Sequence, residues 1–264
     1  MKIMVCIKQV PGTSQVKVDP VTGVLLRDGV ESKMNPYDLF ALETALTLRD
    51  TYGGSVQVIT MGPPAAREVL MEAIYMGADS GILVSDRKFA GADVLATGRT
   101  LSSAIRAAGD FDLILCGKQT TDGDTAQVGA EKAEFLELPH FSNVHSLSAE
   151  EDGALTVTCE LGHTVQTARV ALPCLCCMDG DINTPRLPSY RRKCQTRDRE
   201  ELIRVISLCD FADQNPEHYG LSGSPTQVER IFPPEKNSGR EFLTGDGQAV
   251  CGKIFSVLKT EKFI

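Results

Sequence analysis

Four short apolar runs punctuate the first half of the chain: KIMVCIK at 2–8, SVQVIT at 55–60, GILVS at 81–85 and FDLILC at 111–116. Between them, apolar residues recur every three or four positions. Short apolar runs bounded by turn residues read as buried strands, and the longer period reads as helix. The first helix has a legible start, because Asn35 can cap, Pro36 suits the first helical position, and Leu39, Leu42, Ala45 and Leu46 share one face. Gly53 and Gly54 stop it. PPAAREVLMEAIYMGAD and ADVLATGRTLSSAIRAAGD give the next two helices, each ending near glycine. This alternation predicts an α/β fold whose mostly parallel, doubly wound sheet is covered on both faces.

Two segments break the rhythm. VKVDPVTGVLLRDG, soon after the first strand, alternates apolar positions around Thr22 and Gly23 and predicts a small hairpin excursion. From about residue 143, NVHSLSAEEDGALTVTCELGHTVQTARVALPCLCCM reads as antiparallel ribbons that extend the sheet's edge. We therefore expect an α/β nucleotide-binding domain over 1–190. Residues 191–264 should form an arm ending in an amphipathic helix around DGQAVCGKIFSVLK, with too little core of its own and hence a partner to pack on.

Composition narrows the classes. The 264 residues carry a formal net charge of −8, a balance that disfavours an electrostatic nucleic-acid binder, although YRRKCQTRDR at 190–199 is a local basic patch. No apolar run approaches the ~20 residues of a membrane span, and MKIMVCIKQVPG lacks a signal's long apolar region, so a cytoplasmic location is expected. The nine cysteines are scattered through apolar segments. CLCC at 174–177 lacks the second pair that a zinc or iron–sulfur site needs, which leaves buried reduced thiols and no metal. The four histidines form no triad or metal-spaced cluster.

The chemistry concentrates in GKQTTDGDTAQVG at 117–129, which joins the strand FDLILC to the helical run AEKAEFLEL. An opening helix offers unpaired N–H groups and a positive dipole end, which suits phosphate, yet Asp122 and Asp124 would repel it. The loop is neither a Walker A motif nor a G-x-G-x-x-G fingerprint. A division of labour reconciles its residues: Gly123 admits a close backbone approach, Thr125 and Ala126 open the helix, and the two aspartates face sugars or cap turns. The plainer alternative is an ordinary capped loop, with Gly129 there for close helix packing.

The chain resembles the β subunit of electron transfer flavoproteins along nearly its whole length. The likeness rests on VCIKQVPGT, MNPYDLFALE, TMGP, AIYMGAD, GKQTTDGDTAQVG, NTPRLPS and GSPTQVERIFPPEK in that order. It implies a nucleotide-binding subunit paired with a larger α subunit that carries an FAD. In many members the β-subunit site holds AMP. In electron-bifurcating members it holds a second FAD, where NADH delivers its hydride, and DGDTAQVG resembles that type, with Gly123 where AMP-only loops place a carboxylate.

Carried over by position, the family's nucleotide contacts fall on Cys6, on Asn35, Pro36, Tyr37 and Asp38, on Met61, and on Gly117, Gln119, Thr120, Asp122, Gly123, Asp124, Thr125, Ala126, Gln127 and Val128. Core packing for Cys6 and Met61, capping for Asn35 and core cover for Tyr37 remain open beside those roles. NTPRLPSY resembles the family's recognition loop, which docks acyl-CoA dehydrogenase-type or other flavin dehydrogenases through an exposed leucine. Leu187, Pro188 and Arg191 are its candidates here. No catalytic protein nucleophile is implied. The alternatives are an AMP-binding structural subunit and a homodimeric nucleotide-binding protein of the universal-stress type.

Overall fold

The computed structural model describes residues 1–12, 17–18, 25–26, 32–123, 125–150, 152–229 and 241–264. It divides into two compact units, Met1–Glu229 and Arg230–Ile264.

In the first unit, β1 (Lys2–Cys6) leads into short ribbons: β2 (Gln9–Pro11) pairs with β5 (Ser32–Met34), and β3 (Lys17–Val18) with β4 (Leu25–Leu26), both antiparallel. The β3–β4 pair is the expected excursion, although Thr22 and Gly23 lie outside the described residues. The alternation then follows: α1 (Pro36–Tyr52), β6 (Ser55–Met61), α2 (Arg67–Met76), β7 (Ser80–Val84), α3 (Val94–Ala108), β8 (Leu113–Gly117) and α4 (Val128–Leu136). Beyond it come β9 (His140–Ala149), β10 (Leu155–Leu161), β11 (Thr164–Val170), β12 (Cys174–Met178), α5 (Tyr190–Thr196) and β13 (Ile203–Ile206).

Among the described residues these strands build one nine-stranded sheet in the order β11-β10-β9-β12-β8-β1-β6-β7-β13. Its six strands from β12 to β13 run parallel. Successive side chains alternate between two cores, as a sheet covered on both faces requires. Ile3, Val5, Val56 and Leu115 face α1 and α2, whereas Met4, Cys6, Ile114 and Cys116 face the side of Leu101, Ala104 and Ala133 on α3 and α4.

Two expectations change here. CLCC is not part of an antiparallel edge: β12 is parallel to both β8 and β9, and every residue from Cys174 to Met178 is buried. Among the described residues, the antiparallel pairings within the nine-stranded sheet are β9 with β10 and β10 with β11. The segment after residue 190 is likewise not arm throughout, because β13 pairs with β7 and completes the opposite edge of the sheet.

The second unit holds α6 (Gly247–Thr260), the expected terminal helix. Asp246 caps it by accepting the Ala249 N–H, and none of its residues is buried. Among the described residues no helix is long and apolar enough to cross a membrane.

Candidate functional site

The chain after β1 builds outward through β6 and β7, then returns to place β8 on β1's other side. The connections leaving β1 and β8 therefore diverge, and a crevice opens beyond the carboxyl ends of these strands. Doubly wound sheets bind ligands at such a switch point.

Three segments meet at this crevice, and α1's first turn stitches them. Asn35 occupies the N-cap position but makes no capping bond; its side-chain amide instead donates to the Gln119 carbonyl at 2.9 Å. Its backbone N–H donates to the Lys8 carbonyl at 2.9 Å. The Asp38 carboxylate accepts the N–H groups of Lys8 at 2.7 Å and Gly117 at 3.2 Å, and so ties the end of β8 to the residues after β1. Burial pushes the Asp38 carboxyl up to about 7, against the opposing bonds from Asn35, Lys8 and Gly117. Among the described residues Asn35 Oδ1 is buried without a hydrogen-bond partner, an acceptor that a donor at the crevice would satisfy.

The loop after β8 answers the objection raised by its acids. Asp122 is paired: Lys8 Nζ lies 2.7 Å from its Oδ1. Burial disfavours its charge, but the bond and charge of Lys8, together with the Gly123 N–H and the Thr120 hydroxyl, hold the carboxyl below its ordinary range. A neutralised carboxylate no longer opposes an anion beside it. Gly123 is exposed, and a Cβ there would meet none of the described residues within 4 Å. The Thr120 hydroxyl donates to the Gly123 carbonyl at 3.2 Å and closes the turn. Asp124 lies outside the described residues.

The helix opens later than expected. Thr125, Ala126 and Gln127 are exposed, Ala126 takes the left-handed φ of +54°, and α4 starts at Val128 behind Gln127 as the N-cap residue. Glu131 N–H to Gln127 carbonyl, at 3.0 Å, closes the first helical turn. The N–H groups of Val128, Gly129 and Ala130, rather than those of Thr125 and Ala126, are thus the ones an α-helix leaves without helical partners.

The remaining candidates line or support this end of the sheet. Cys6 is buried in the core on the α3–α4 side, and Met61 packs partly buried against the same core at the end of β6. Pro36 takes the first position of α1. Tyr37 is half-buried and so close to Gly117 that any Cβ there would collide with it. Gly129 lets α4 press onto β12, where an added Cβ would overlap Cys177 Sγ. Sequence reasoning missed Lys8 as the counter-charge to Asp122, although a lysine two residues past a strand end is a visible signal. It also missed Lys132, which is only 2% exposed beneath the loop and carries no such signal in AEKAEFLEL.

The candidate docking residues belong to a different segment. Leu187 is 87% exposed and Tyr190 80%, and Pro188 and Arg191 are exposed as well. The backbone beneath them is pinned. Arg186 forks onto Glu43, with Nε 2.8 Å from Oε2, and reaches Asp50 at 3.0 Å. Arg192 donates to the carbonyls of Ile74 and Ala78 at the end of α2, both at 2.9 Å. Only part of the basic run is therefore a solvated face.

Residues 22–205 match the family model described as the electron transfer flavoprotein domain. The chain is 42% identical to the caffeyl-CoA reductase-Etf complex subunit CarD of Acetobacterium woodii, with all of both chains covered. It is 39% identical to the electron transfer flavoprotein subunit beta of Clostridium acetobutylicum, again over all of both chains. It is also 40% identical to the protein FixA of Azorhizobium caulinodans, over 97% of this chain and 94% of that one.

Proposed function

We infer the function from the premise that this chain belongs to the electron transfer flavoprotein family, as a β subunit: it pairs with an α subunit, and its own site takes FAD. The premise removes the universal-stress alternative. The observation that carries the FAD reading is the Lys8–Asp122 pair beside the open Gly123, because a loop with its carboxylate neutralised and no side chain at its middle leaves charge and room for a diphosphate.

The chain's residues fit the group. Val128, Gly129 and Ala130 would offer N–H groups to phosphate oxygens, Asn35 Oδ1 is a buried acceptor awaiting a donor, and Asp38 holds the two strand ends that frame the crevice. When bound, FAD would supply the redox chemistry of the electron-bifurcating branch to which we assign the chain, with NADH as hydride donor, and the residues of the crevice would position it and tune its potential. On this reading Leu187, Pro188 and Arg191 dock a dehydrogenase of the acyl-CoA type. CarD, named as a subunit of a caffeyl-CoA reductase complex, supports a partner that works on coenzyme A esters. The unit Arg230–Ile264 covers the α subunit.

Co-purification with the α subunit, denaturation and quantification of released nucleotides test the assignment. We expect two FAD and no AMP per heterodimer, with flavin bleaching on rapid mixing with NADH. One FAD with one AMP, and flavin reduced by a dehydrogenase but not by NADH, would establish the structural AMP subunit instead.

A further inference from the structure

Beneath α4, on the side of the sheet away from α1, lies a pair of cysteines that the nucleotide reading does not employ. Cys116 and Cys177 are register partners on the adjacent parallel strands β8 and β12, and their sulfurs stand 3.7 Å apart. Adjacent strands lie about 4.8 Å apart, within the Cα separation that a disulfide spans. Both thiols are free and buried. Lys132, almost wholly buried, enters the same cluster from α4, with the Cys6 thiol within its hydrogen-bonding reach and Cys116 and Cys177 in its field. An ammonium removed from water needs an anion. Asp38 is the nearby carboxyl, and burial pushes it towards neutrality.

We propose that Cys116 and Cys177 are a hydroperoxide-oxidisable dithiol beneath the nucleotide loop, with Lys132 as the counter-charge to the thiolate that starts the reaction. The two thiols share one hydrogen bond across 3.7 Å, in which either sulfur can donate, and the Lys132 ammonium favours the thiolate form of both, while burial pushes Cys6 up to about 11. Cys174 and Cys176 belong to the opposite core and supply an internal control.

The steps balance. The thiolate of one of the two cysteines attacks the terminal oxygen of a hydroperoxide, an S–O bond forms as the O–O bond breaks, and the alkoxide leaves with the proton that this cysteine gave up. The other thiol then attacks the sulfenic sulfur, an S–S bond forms as the S–O bond breaks, and hydroxide departs with the second thiol's proton as water. Two thiols and one hydroperoxide become one disulfide, one alcohol and one water. Because Gly129 rests on Cys177, drawing the sulfurs together shifts α4 and the loop that precedes it. The resulting loss of cofactor rests on the FAD reading; the dithiol does not.

The test treats the reduced full-length protein, co-purified with its α subunit, with hydrogen peroxide, blocks remaining thiols and maps peptides by mass. We expect a Cys116–Cys177 cross-link, two hydrogens lighter than the free pair, with Cys174 and Cys176 still reduced. In Cys116→Ser or Cys177→Ser the cross-link should be lost and dimedone should label the cysteine that remains. Lys132→Met should slow cross-linking about tenfold and Lys132→Arg should restore it. Oxidation confined to the exposed Cys194, Cys209 and Cys251, no dimedone labelling in either serine variant, or an undiminished rate in Lys132→Met would each overturn the proposal. Should Lys132→Met fail to fold, the cross-link and the two serine variants still decide it. A cross-link formed in protein that holds AMP supports the dithiol and counts only against the cofactor assignment.

Discussion

A Cβ added to Gly117 would lie 2.6 Å from Asp38 Oδ1 and 2.6 Å from the Tyr37 carbonyl carbon, whereas one added to Gly123 meets nothing within 4 Å. The two glycines share a loop for opposite reasons: the first lets three backbone segments converge, and the second leaves space outside the protein. Gly117→Ala should therefore cost about 1–3 kcal/mol in folding, as overpacking does, and Gly123→Ala less than about 0.5 kcal/mol. Gly123→Asp should instead lower FAD retention more than AMP retention, which thermal melts paired with nucleotide quantification would detect. Equal melting losses in the two alanine variants, or equal loss of both nucleotides in Gly123→Asp, would refute this division. The sequence announces Gly123 through its acidic neighbours. It does not announce Lys132, because a lysine among glutamates reads as solvent-facing until β8 and β12 are known to bring their thiols beneath it.

Elements that follow one another as strand, helix and strand were legible, since each connection is short and its periods differ. The four runs of the first half became β1, β6, β7 and β8, and α1 ends at the glycines that mark it. The placement of β12 and β13 was not legible. Apolar runs such as CLCCM and IRVI state that a segment is buried but not which neighbour it takes or in which direction, and both pair with strands far away in the chain. The segment between them shows how an element can be rigid yet exposed. Arg192 donates to the carbonyls of Ile74 in the last turn of α2 and of Ala78 just past it, and this fixes the backbone under Leu187. Removing Arg192 should thus cost about 1–2 kcal/mol of stability, while Leu187→Ala should leave the melting temperature unchanged and weaken dehydrogenase binding several-fold. Melts and titration with the dehydrogenase separate the two roles, and a Leu187→Ala variant that melts early without losing affinity would assign the leucine to packing.

At the scale of the whole chain, the two units differ in what they can bury. Met1–Glu229 has apolar cores on both faces of its sheet. The described part of Arg230–Ile264 has none: Phe242 is 85% exposed, Phe263 77%, and Phe255 and Val257 on α6 more than half. Such a cluster of exposed apolar groups on one short unit marks a surface meant to be covered. The tail's thin core is legible in the sequence, and within the expected arm of 191–264 β13 pairs with β7. If the α subunit is the cover, deleting 241–264 should leave the first unit folded, with its melting temperature within a few degrees of the full chain, and abolish stable 1:1 co-elution with that subunit. Burying apolar area at about 25 cal/mol per Å² makes a handful of large side chains enough to decide association. Phe255→Ser and Phe263→Ser together should weaken the heterodimer in the same direction with the chain intact. A truncated chain that still co-elutes in equal amounts would place the α-subunit interface on the sheet-bearing unit and leave α6 free for another partner.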